Sequence, residues 1–467
     1  MKKTTLLAFA TLLLFACNSN KENNKTAAQL DEYLTAQSTH HRFNGNVLVA
    51  ENGKIVFQKS YGYANFDTKR LLNDSSVFEL ASVSKQFTAT AILLLKDKGK
   101  LKLTDSLRQY FPELPYSGIS IYQMLTHTSG LPDYEEAMNE KWDRTKIAFN
   151  NDMIAFLAKE KLPVLFGAGK KWLYSNTAYA ILASIVEKVS GQSFSEFLAA
   201  TIFKPLQMNH TRIYNTRRSV KDTIANYGYG FVYNDSLKKH LMPDSVTDLK
   251  FVIYLDGIQG DGVVNSTTAD LLKWDRSVKN HTLLSEATQK EMLKEHAMVD
   301  TVKKSYYGFG VFMEKTELGN VISHSGGWPG YTTYLARNVD KDQTFIVLSN
   351  NSSPSPALSL ALQHILNGKQ VVMPYQHKEI TMDTVTLQQF VGKYKINNME
   401  ISIERTGNKL FMVTQPGQKI ELKPESGTKF FFTNGSDYQI EFEMDGNKKI
   451  TKSWLINYGV KKAFEKI

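Results

Sequence analysis

Three short motifs in this sequence carry the side chain types that let a serine act as a nucleophile. Ser82 and Lys85 stand three positions apart, Tyr174 and Asn176 follow later in the chain, and the triplet His324-Ser-Gly326 comes after them. A serine hydroxyl is a poor nucleophile near neutral pH and needs an adjacent base. Because side chains three residues apart on a helix share one face, the Lys85 amine is predicted to reach the Ser82 oxygen.

The Ser-x-x-Lys pattern is weak by itself, so the surrounding sequence must separate its copies. It begins at Ser82, Ser236 and Ser426. Only Ser82 precedes an apolar run, residues 87–95, which predicts a buried helix that stops near Gly99. Partial positive charge at a helix N-terminus favours a developing oxyanion, and burial lowers the pKa of a lysine so that it can act as a base.

The Tyr-x-Asn pattern also has two copies. Tyr63-Ala-Asn65 lies in a strand-like segment ahead of Ser82, where a structural role is expected. Tyr174-Ser-Asn176 follows a glycine-containing loop and precedes a predicted helix, a position that suits the presentation of a side chain.

The elements that must position these motifs are predicted to be strands at the two ends of one domain with helices between them. An Asn-Gly turn at Asn52 predicts a hairpin over residues 46–58. Later segments alternate as strands do, and a helix follows them. The expected strands are 307–313, 321–325, 331–336 and 344–348, the last helix is 356–366, and the clearest helices between are 178–189 and 194–203.

A second domain is expected after a linker at residues 369–382. From residue 383 to 467, Gly-containing turn signals recur about every ten residues, with short β-type segments such as 410–413 and 429–432 between them. This pattern predicts a small antiparallel barrel or sandwich. It contains no catalytic constellation, and we expect an accessory role, structural rather than substrate-facing.

The N-terminus is predicted to be a targeting segment. Two lysines precede an apolar stretch, residues 6–16, that is too short to span a bilayer, so residues 1–16 are interpreted as a secretory signal. The string Leu14-Phe-Ala-Cys17 resembles the lipobox of bacterial lipoproteins, which predicts lipidation of Cys17 and a polar tether over residues 17–29. Cys17 is the only cysteine, so no internal disulfide can form. We expect a lipid-anchored protein of the bacterial cell envelope, either periplasmic or surface-exposed.

Composition and motif content argue against nucleic-acid-binding, metal-binding and nucleotide-binding proteins. The 467 residues leave room for two or three domains, and the net charge of +10 is scattered, so nucleic-acid binding is not expected. His40 and His41 lack further residues at ligand spacing, and the Gly260-Asp-Gly262 string lacks a phosphate-loop lysine. No metal or organic cofactor is expected.

Four segments, taken in order, resemble the serine β-lactamase-related family, which includes class C β-lactamases, D-Ala-D-Ala carboxypeptidases, D-aminopeptidases and esterases. They are FELASVSK from Phe78, MLTHTSGLP from Met124, GKKWLYSN from Gly169 and HSGGWPG from His324. The resemblance covers residues 30–368 and implies an α+β, β-lactamase/transpeptidase-like fold, with an antiparallel sheet flanked by helices and a helical lobe. Residues 383–467 resemble the lipocalin-like C-terminal barrel of some members.

The resemblance also implies roles for individual residues. Ser82 would be the nucleophile and Lys85 its activator, Tyr174 would share general acid/base work, and Asn176 would orient the substrate. Whether Lys85 or Tyr174 takes the proton from the serine stays open.

The resemblance also implies roles for the predicted strand that carries the His324 triplet, called the pocket strand below. His324, Ser325 and Gly326 would line the substrate pocket, and His324 would act on the catalytic tyrosine. The backbone N–H groups of Ser82 and Gly327 would hold the oxyanion. His127 in the second motif is expected to brace a loop.

Two positions depart from the family pattern. β-Lactamases of this family usually have Lys-Thr-Gly on the pocket strand, whereas this chain has His324, which titrates near neutrality. A loop proline is replaced by Ala168. The loss of the lysine charge favours peptidase or esterase activity over β-lactamase activity, and a histidine required in neutral form predicts lower activity at acidic pH.

The expected function is therefore an envelope-anchored serine hydrolase that cleaves ester or amide bonds of a small-molecule, peptide or β-lactam substrate. The first alternative is a β-lactamase or D-Ala-D-Ala carboxypeptidase. Two alternatives of other classes are a non-catalytic receptor for peptidoglycan fragments or β-lactams, and a structural lipoprotein whose barrel carries the function.

Overall fold

A computed structural model describes residues 24–213, 224–396, 399–415, 418–433 and 435–467. The chain divides into two compact units, Asn44–Ser359 and a second unit that combines the residues up to Phe43 with Leu360–Ile467. The predicted signal segment and Cys17 lie outside the described residues. Among the described residues, no helix combines the length and the hydropathy that a membrane span requires.

The Asn44–Ser359 unit contains an antiparallel sheet of eight strands that joins the two ends of the unit. Asn52 and Gly53 both have positive φ in the first hairpin, as the Asn-Gly turn predicts. The first strand then pairs with the last, with Val47 opposite Val347. In spatial order the strands are Ala297–Asp300, Ser305–Tyr307, Phe312–Thr316, Gly319–Trp328, Tyr331–Asn338, Gln343–Ser349, Gly45–Glu51 and Lys54–Tyr61.

One expected strand, residues 307–313, is wrong. The chain forms two strands there, Ser305–Tyr307 and Phe312–Thr316, which pair with each other. Gly308 and Gly310 make the turn between them. A Cβ on Gly308 would lie 2.5 Å from the Met292 carbonyl oxygen, and Gly310 has a φ of 77°.

Helices fill the space beside the sheet and supply most of the apolar core. The Lys85–Asp97 helix is nearly all buried because ten of its thirteen side chains are enclosed. The expected helix 194–203 is interrupted, since a π-helical turn, Ala199–Phe203, follows Phe194–Leu198. The other α-helices of the unit are Leu107–Tyr110, Ile121–Leu125, Tyr134–Lys141, Asn150–Glu160, Asn176–Ser190, Phe251–Tyr254, Thr268–Lys279 and Glu286–Met292, and Ser355–Leu366 follows the sheet.

Short strands complete the elements around the helices. Phe78–Glu79, Val264–Ser266 and Arg212–Ile213 form a three-stranded sheet, and two small hairpins pair Tyr63–Asn65 with Arg70–Leu71 and Val232–Asn234 with Lys239–Leu241. Of the three-stranded sheet, the strand Phe78–Glu79 lies directly before the Ser82 turn in the chain.

The second unit contains a closed antiparallel barrel of eight strands around an aromatic and aliphatic core. A helix over residues 24–39 belongs to this unit, and its Tyr33 hydroxyl donates to the Tyr458 carbonyl at 2.8 Å. Residues 24–29 of the expected tether are thus helical. The barrel strands, which follow a short helix Thr384–Gln388, are Gly392–Ile396, Met399–Thr406, Lys409–Gln415, Gln418–Pro424, Lys429–Phe432, Tyr438–Met444, Ile450–Asn457 and Val460–Lys466.

Candidate active site

Ser82 lies in a single 3-10 turn, Ala81–Ser84, that leads directly into the Lys85–Asp97 helix. Ala81 has a φ of 47°, a left-handed conformation that costs free energy for any residue except glycine. The Ser84 hydroxyl fixes the turn by accepting a hydrogen bond from the Val264 N–H at 3.1 Å. Ser82 is only partly buried and lines a pocket of about 80 Å³. Its hydroxyl therefore stands where a small substrate can reach it.

Lys85 is completely buried beside Ser82. Its Nζ lies 3.1 Å from Ser82 Oγ, and it donates to Asn176 Oδ1 at 2.8 Å and to the Asp261 carbonyl oxygen at 2.7 Å. Burial lowers the pKa of Lys85 to about 8, although nearby carboxylates oppose the shift. The neutral amine is thus accessible near physiological pH and is within reach of the serine proton.

Carboxyl groups surround this pair on the pocket side. Asn176 Nδ2 donates to Glu135 Oε1 at 2.8 Å, and the Tyr134 hydroxyl donates to Asp261 Oδ2 at 2.8 Å. Burial and, to a smaller extent, the charge of Asp261 raise the pKa of Glu135 to about 8. Burial also raises the pKa of Asp261. The sequence predicts no role for either acid, because Glu135 belongs to none of the motifs and Asp261 lies in the Gly260-Asp-Gly262 string, which was compared only with a phosphate loop.

Tyr174 is held by the loop that His127 supports. His127 Nδ1 accepts a hydrogen bond from the Ser175 N–H at 3.0 Å, and its ring centroid lies 4.3 Å from that of Tyr174. The Tyr174 hydroxyl is buried without a hydrogen-bond partner among the described residues. Burial raises its pKa well above the ordinary value, while the nearby Ser82 hydroxyl acts in the opposite direction. Lys85 Nζ lies 4.8 Å from the ring centroid.

The histidine on the pocket strand has a different environment from the expected one. His324 Nδ1 lies 2.7 Å from the Ser325 carbonyl, which can only accept, so Nδ1 carries the proton. Nε2 then accepts from the Tyr307 hydroxyl at 3.1 Å. Burial lowers the pKa of His324 to about 3, so the expectation that it titrates near neutrality is wrong. Its ring centroid is 6.2 Å from that of Tyr174, and its hydrogen bond goes instead to Tyr307, which the sequence did not single out.

Glycine stands at the next two inward and outward positions of this strand, Gly326 and Gly327, for different physical reasons. A Cβ on Gly326 would lie 2.1 Å from the Leu80 carbonyl oxygen and 2.2 Å from Thr333 Oγ1, so the strand can approach the Ser82 turn only with glycine there. Gly327 has no atom within 4 Å of an added Cβ and lines the pocket. Ser325 is exposed on the same face as Gly327, while His324 and Gly326 point inward.

None of the other copies of the two motifs lines the pocket at Ser82. Tyr63-Ala-Asn65 is a strand, and Ser236 and Ser426 lie in turns or bends. Over the described ranges, no group of three or more histidine, cysteine, aspartate or glutamate side chains is arranged to hold a metal ion.

Comparison with known proteins identifies the relatives of this chain. A family model described as Beta-lactamase matches residues 25–368, most of the chain. The chain belongs to this family. Penicillin-binding protein 4* of Bacillus subtilis (strain 168) is 40% identical to it over 424 residues, which cover 89% of this chain and 93% of that protein.

Solved structures agree on the fold. The octameric penicillin-binding protein homologue from Pyrococcus abyssi superimposes with a TM-score of 0.67 at 22% identity, covering 94% of this chain and 99% of its own. D-amino acid amidase from Ochrobactrum anthropi SV3 gives a TM-score of 0.60 at 20% identity, covering 74% and 97%. The predicted α+β, β-lactamase/transpeptidase-like fold followed by a small barrel is confirmed. The protein is a serine hydrolase that works through an acyl-enzyme.

Proposed function

We propose that Ser82 is the acyl-accepting nucleophile and that Lys85 is the base that activates it. The 3.1 Å contact between Lys85 Nζ and Ser82 Oγ carries this proposal. A neutral amine takes the hydroxyl proton as Oγ attacks the substrate carbonyl, and the carbon–oxygen bond forms while the carbonyl electrons move onto oxygen. The pKa of about 8 makes Lys85 the better base, since Tyr174 has a pKa raised well above its usual value and stays protonated.

Tyr174 then acts as the acid for the leaving group, and the Lys85 ammonium, which holds the proton taken from Ser82, returns a proton to the Tyr174 oxygen. Its buried hydroxyl and its nearness to Ser82 support that role. Asn176 links Lys85 to Glu135 and holds the amine in place. The backbone N–H groups of Ser82 and Gly327, both of which line the pocket, would hold the oxyanion. In the second half-reaction, water attacks the acyl carbon and gives a proton to Lys85, the bond from that carbon to Ser82 Oγ breaks, and Oγ takes the proton from Lys85 as the acid leaves.

The carboxyl residues of the pocket support a proposal for the substrate class. Four carboxyl residues line it, Glu79, Glu135, Asp256 and Asp261, and its described lining includes no lysine, arginine or histidine. Burial raises the pKa of Glu135 and of Asp261, and the ammonium group of a bound substrate favours the ionised form of these carboxyls, which attracts it, whereas a substrate carboxylate is repelled. β-Lactams and D-Ala-D-Ala peptides carry a carboxylate at the end that the pocket strand would bind. We therefore favour amides or esters of amino acids with a free amino group, and the likeness to a D-amino acid amidase supports the D-configuration.

The cellular site of this activity is part of the same proposal. The lipobox-like string that ends at Cys17 supports an acyl anchor on that cysteine and an envelope location for the mature protein.

A substrate panel tests the substrate class. The purified protein is given D-phenylalanine amide, its L-isomer, N-acetyl-D-phenylalanine amide and a chromogenic cephalosporin, and kcat/KM is measured for each. We expect D-phenylalanine amide to be the best substrate, with the N-acetyl amide at least tenfold worse because it lacks the charge. Faster turnover of the cephalosporin would overturn the amino-acid amide assignment.

The variants Glu135→Gln and Glu140→Gln provide a matched pair on the Tyr134–Lys141 helix, since Glu140 is exposed and does not line the pocket. Glu135→Gln should raise KM for D-phenylalanine amide more than for the N-acetyl amide, and Glu140→Gln should change neither. Equal effects of Glu135→Gln on both substrates would argue against recognition of the ammonium group.

A further inference from the structure

His127 is a buried titratable residue that takes no part in the chemistry described above. It belongs to the MLTHTSGLP segment and is completely buried. Its backbone has a φ of 58°, a left-handed conformation that costs free energy for a residue with a side chain. Such a conformation persists only where the surrounding contacts hold it, so the contacts of His127 must offset this cost.

His127 contacts three consecutive residues of the loop that carries the candidate acid. The Leu173 N–H donates to the His127 carbonyl oxygen at 2.9 Å, and the Ser175 N–H donates to His127 Nδ1 at 3.0 Å. Between these two bonds, the Tyr174 ring packs on the imidazole ring, with the ring centroids 4.3 Å apart and the ring planes at 33°. His127 thus fixes the backbone on both sides of Tyr174 as well as the Tyr174 ring.

The protonation state of the imidazole is set by these contacts. Nδ1 can accept from the Ser175 N–H only when it carries no proton, so the neutral ring has its proton on Nε2. Burial and, to a smaller extent, the charge of Lys85 hold the pKa of His127 well below its usual range, so the ring stays neutral. Nε2 is buried and has no hydrogen-bond partner among the described residues. Because an unpaired buried donor is unfavourable, an apolar ring would serve packing alone better, and the acceptor at Nδ1 is what a histidine adds.

Two further tyrosines hold the imidazole ring in place. The ring centroid of His127 lies 5.0 Å from that of Tyr179 and 4.5 Å from that of Tyr307, and both tyrosines are completely buried. The Tyr179 hydroxyl donates to a backbone carbonyl at 2.8 Å, and the Tyr307 hydroxyl donates to His324 Nε2 at 3.1 Å. Since both neighbours are anchored by hydrogen bonds, His127 is a rigid support for Tyr174.

We propose that His127 is a positioning residue for Tyr174, and that its Nδ1 and its ring hold the Tyr174 hydroxyl where it can protonate the leaving group. This role is more specific than the loop support expected from the sequence, and it rests on the proposed function of Tyr174 as the acid. A displacement of about 1 Å at a reacting group can cost about 100-fold in rate. The loss should fall on leaving groups that need a proton, such as methoxide, because p-nitrophenolate leaves without one.

Two esters of one acyl group separate this role from general damage to the site. With the full-length protein, kcat/KM is measured for D-phenylalanine methyl ester and D-phenylalanine p-nitrophenyl ester. His127→Phe keeps an aromatic ring but removes the acceptor, so we expect about a 100-fold loss on the methyl ester and a loss at least tenfold smaller on the p-nitrophenyl ester. His127→Asn keeps an acceptor near the Nδ1 position, and its loss on the methyl ester should be about tenfold. His41→Phe is the matched control, because His41 has the same φ of 58° but is exposed, and it should change neither value.

Equal losses on the two esters in His127→Phe, or full activity on the methyl ester, would overturn the positioning role. Thermal unfolding of each variant verifies folding, and should His127→Phe fail to fold, the ratio of the two losses in His127→Asn decides in the same way. Tyr174→Phe separates this inference from the proposed function, since it should show a selective loss on the methyl ester at least as large. A selective loss in Tyr174→Phe without one in the His127 variants would overturn the positioning role alone. Equal losses on the two esters in Tyr174→Phe would overturn the acid role of Tyr174, and this inference with it.

Discussion

Two buried groups at the site, the Lys85 amine and the Glu135 carboxyl, have pKa values that meet at about 8. The amine is shifted down by burial and the carboxyl is shifted up by burial, so each is easier to neutralise than in water. Asn176 bridges them, with its oxygen toward the lysine and its nitrogen toward the glutamate. The charge state of either group therefore affects the other, and this coupling has measurable consequences.

The first consequence concerns pH. An amine that accepts the serine proton must itself be unprotonated, so activity is absent well below its pKa and complete above it. With a neutral ester such as p-nitrophenyl acetate, we expect kcat/KM to rise with pH and to level off above about 8. Lys85→Ala should remove both the activity and the rise. A flat profile from pH 6 to 9 in the wild type would contradict the assignment of Lys85 as the base.

The second consequence identifies which group sets that rise. The negative charge of Glu135 raises the pKa of Lys85, so removal of the charge should lower it. We expect Glu135→Gln to move the rise in kcat/KM for the neutral ester to lower pH. The exposed Glu140→Gln variant should keep the wild-type profile. If the rise disappears altogether in Glu135→Gln, Glu135 rather than Lys85 is the titrating base.

Sequence reasoning found the residues that belong to a motif and missed those that do not. Ser82 and Lys85 are separated by one helical turn, a local relation that spacing can express. Glu135 and Tyr307 approach the site through tertiary packing from distant segments, which a single sequence does not encode in any spacing. The error at His324 has the same origin, because burial and not residue type decides its pKa.

At the scale of elements, the strand Gly319–Trp328 is held against the turn that carries Ser82. Thr333 Oγ1 on the neighbouring strand donates to the Leu80 carbonyl at 2.7 Å, and Gly326 lets the backbones come this close. The contact fixes Gly327 beside Ser82 at the pocket.

The two glycines give a matched pair of variants. Gly326→Ala puts a Cβ about 2 Å from the Leu80 backbone, so the strand must move, and we expect a loss of about 1–3 kcal/mol of unfolding free energy together with most of the activity. Gly327→Ala meets no atom within 4 Å and should leave the unfolding free energy unchanged. Denaturant unfolding measures both. Equal stability of the two variants would argue that the strand does not depend on this close approach.

Element positions were predictable where local signals are strong and less so where glycine changes the chain direction. The Asn52-Gly53 hairpin and the buried helix after Ser82 follow directly from turn chemistry and apolar content. The segment 307–313 has strand composition on both sides, and the turn at Gly308 depends on contact with Met292, which lies in another element.

At the scale of the whole molecule, the unit that contains the barrel has an ionic cluster of its own. His377, with a side chain that is 7% exposed, lies 2.7 Å from Glu425 and 3.4 Å from Asp437. Arg42, near the end of the N-terminal segment, pairs with Asp437 at 2.8 Å. Burial acts to lower the pKa of His377, but the hydrogen bonds to the two carboxylates outweigh it and raise the pKa. Tyr375 and Lys429 face Glu425 in the same cluster.

This cluster predicts how stability of the unit varies with pH. A histidine with a raised pKa stabilises the folded state below about pH 6.5, and that contribution is lost as pH rises through the folded-state value. We expect hydrogen exchange in the strands Lys429–Phe432 and Tyr438–Met444, corrected for the intrinsic pH effect, to report lower stability at pH 9 than at pH 6. His377→Asn should remove this dependence, and the exposed His41→Asn should retain it. An unchanged dependence in His377→Asn would assign it to other groups.

The grouping of the N-terminal helix with the barrel could not be predicted from the spacing of residues in the sequence. Turn signals every ten residues predicted strands after residue 383, and the eight strands close into a barrel. The helix 24–39 groups with that barrel because Tyr33 and Gln37 hydrogen bond to Tyr458 and Asp437, partners some 400 residues away in the chain. No local pattern indicates such pairings. The domain boundaries at residues 30, 368 and 383 stay predictions.

The central claim is that a covalent acyl intermediate forms on Ser82. Intact-mass spectrometry after treatment with a fluorophosphonate probe, followed by peptide mapping, tests it most directly. We expect one adduct per wild-type chain, located on Ser82, slower labelling in Lys85→Ala, and none in a Ser82→Ala protein of unchanged melting temperature. An adduct on another serine, or equal labelling of Ser82→Ala, would contradict the account.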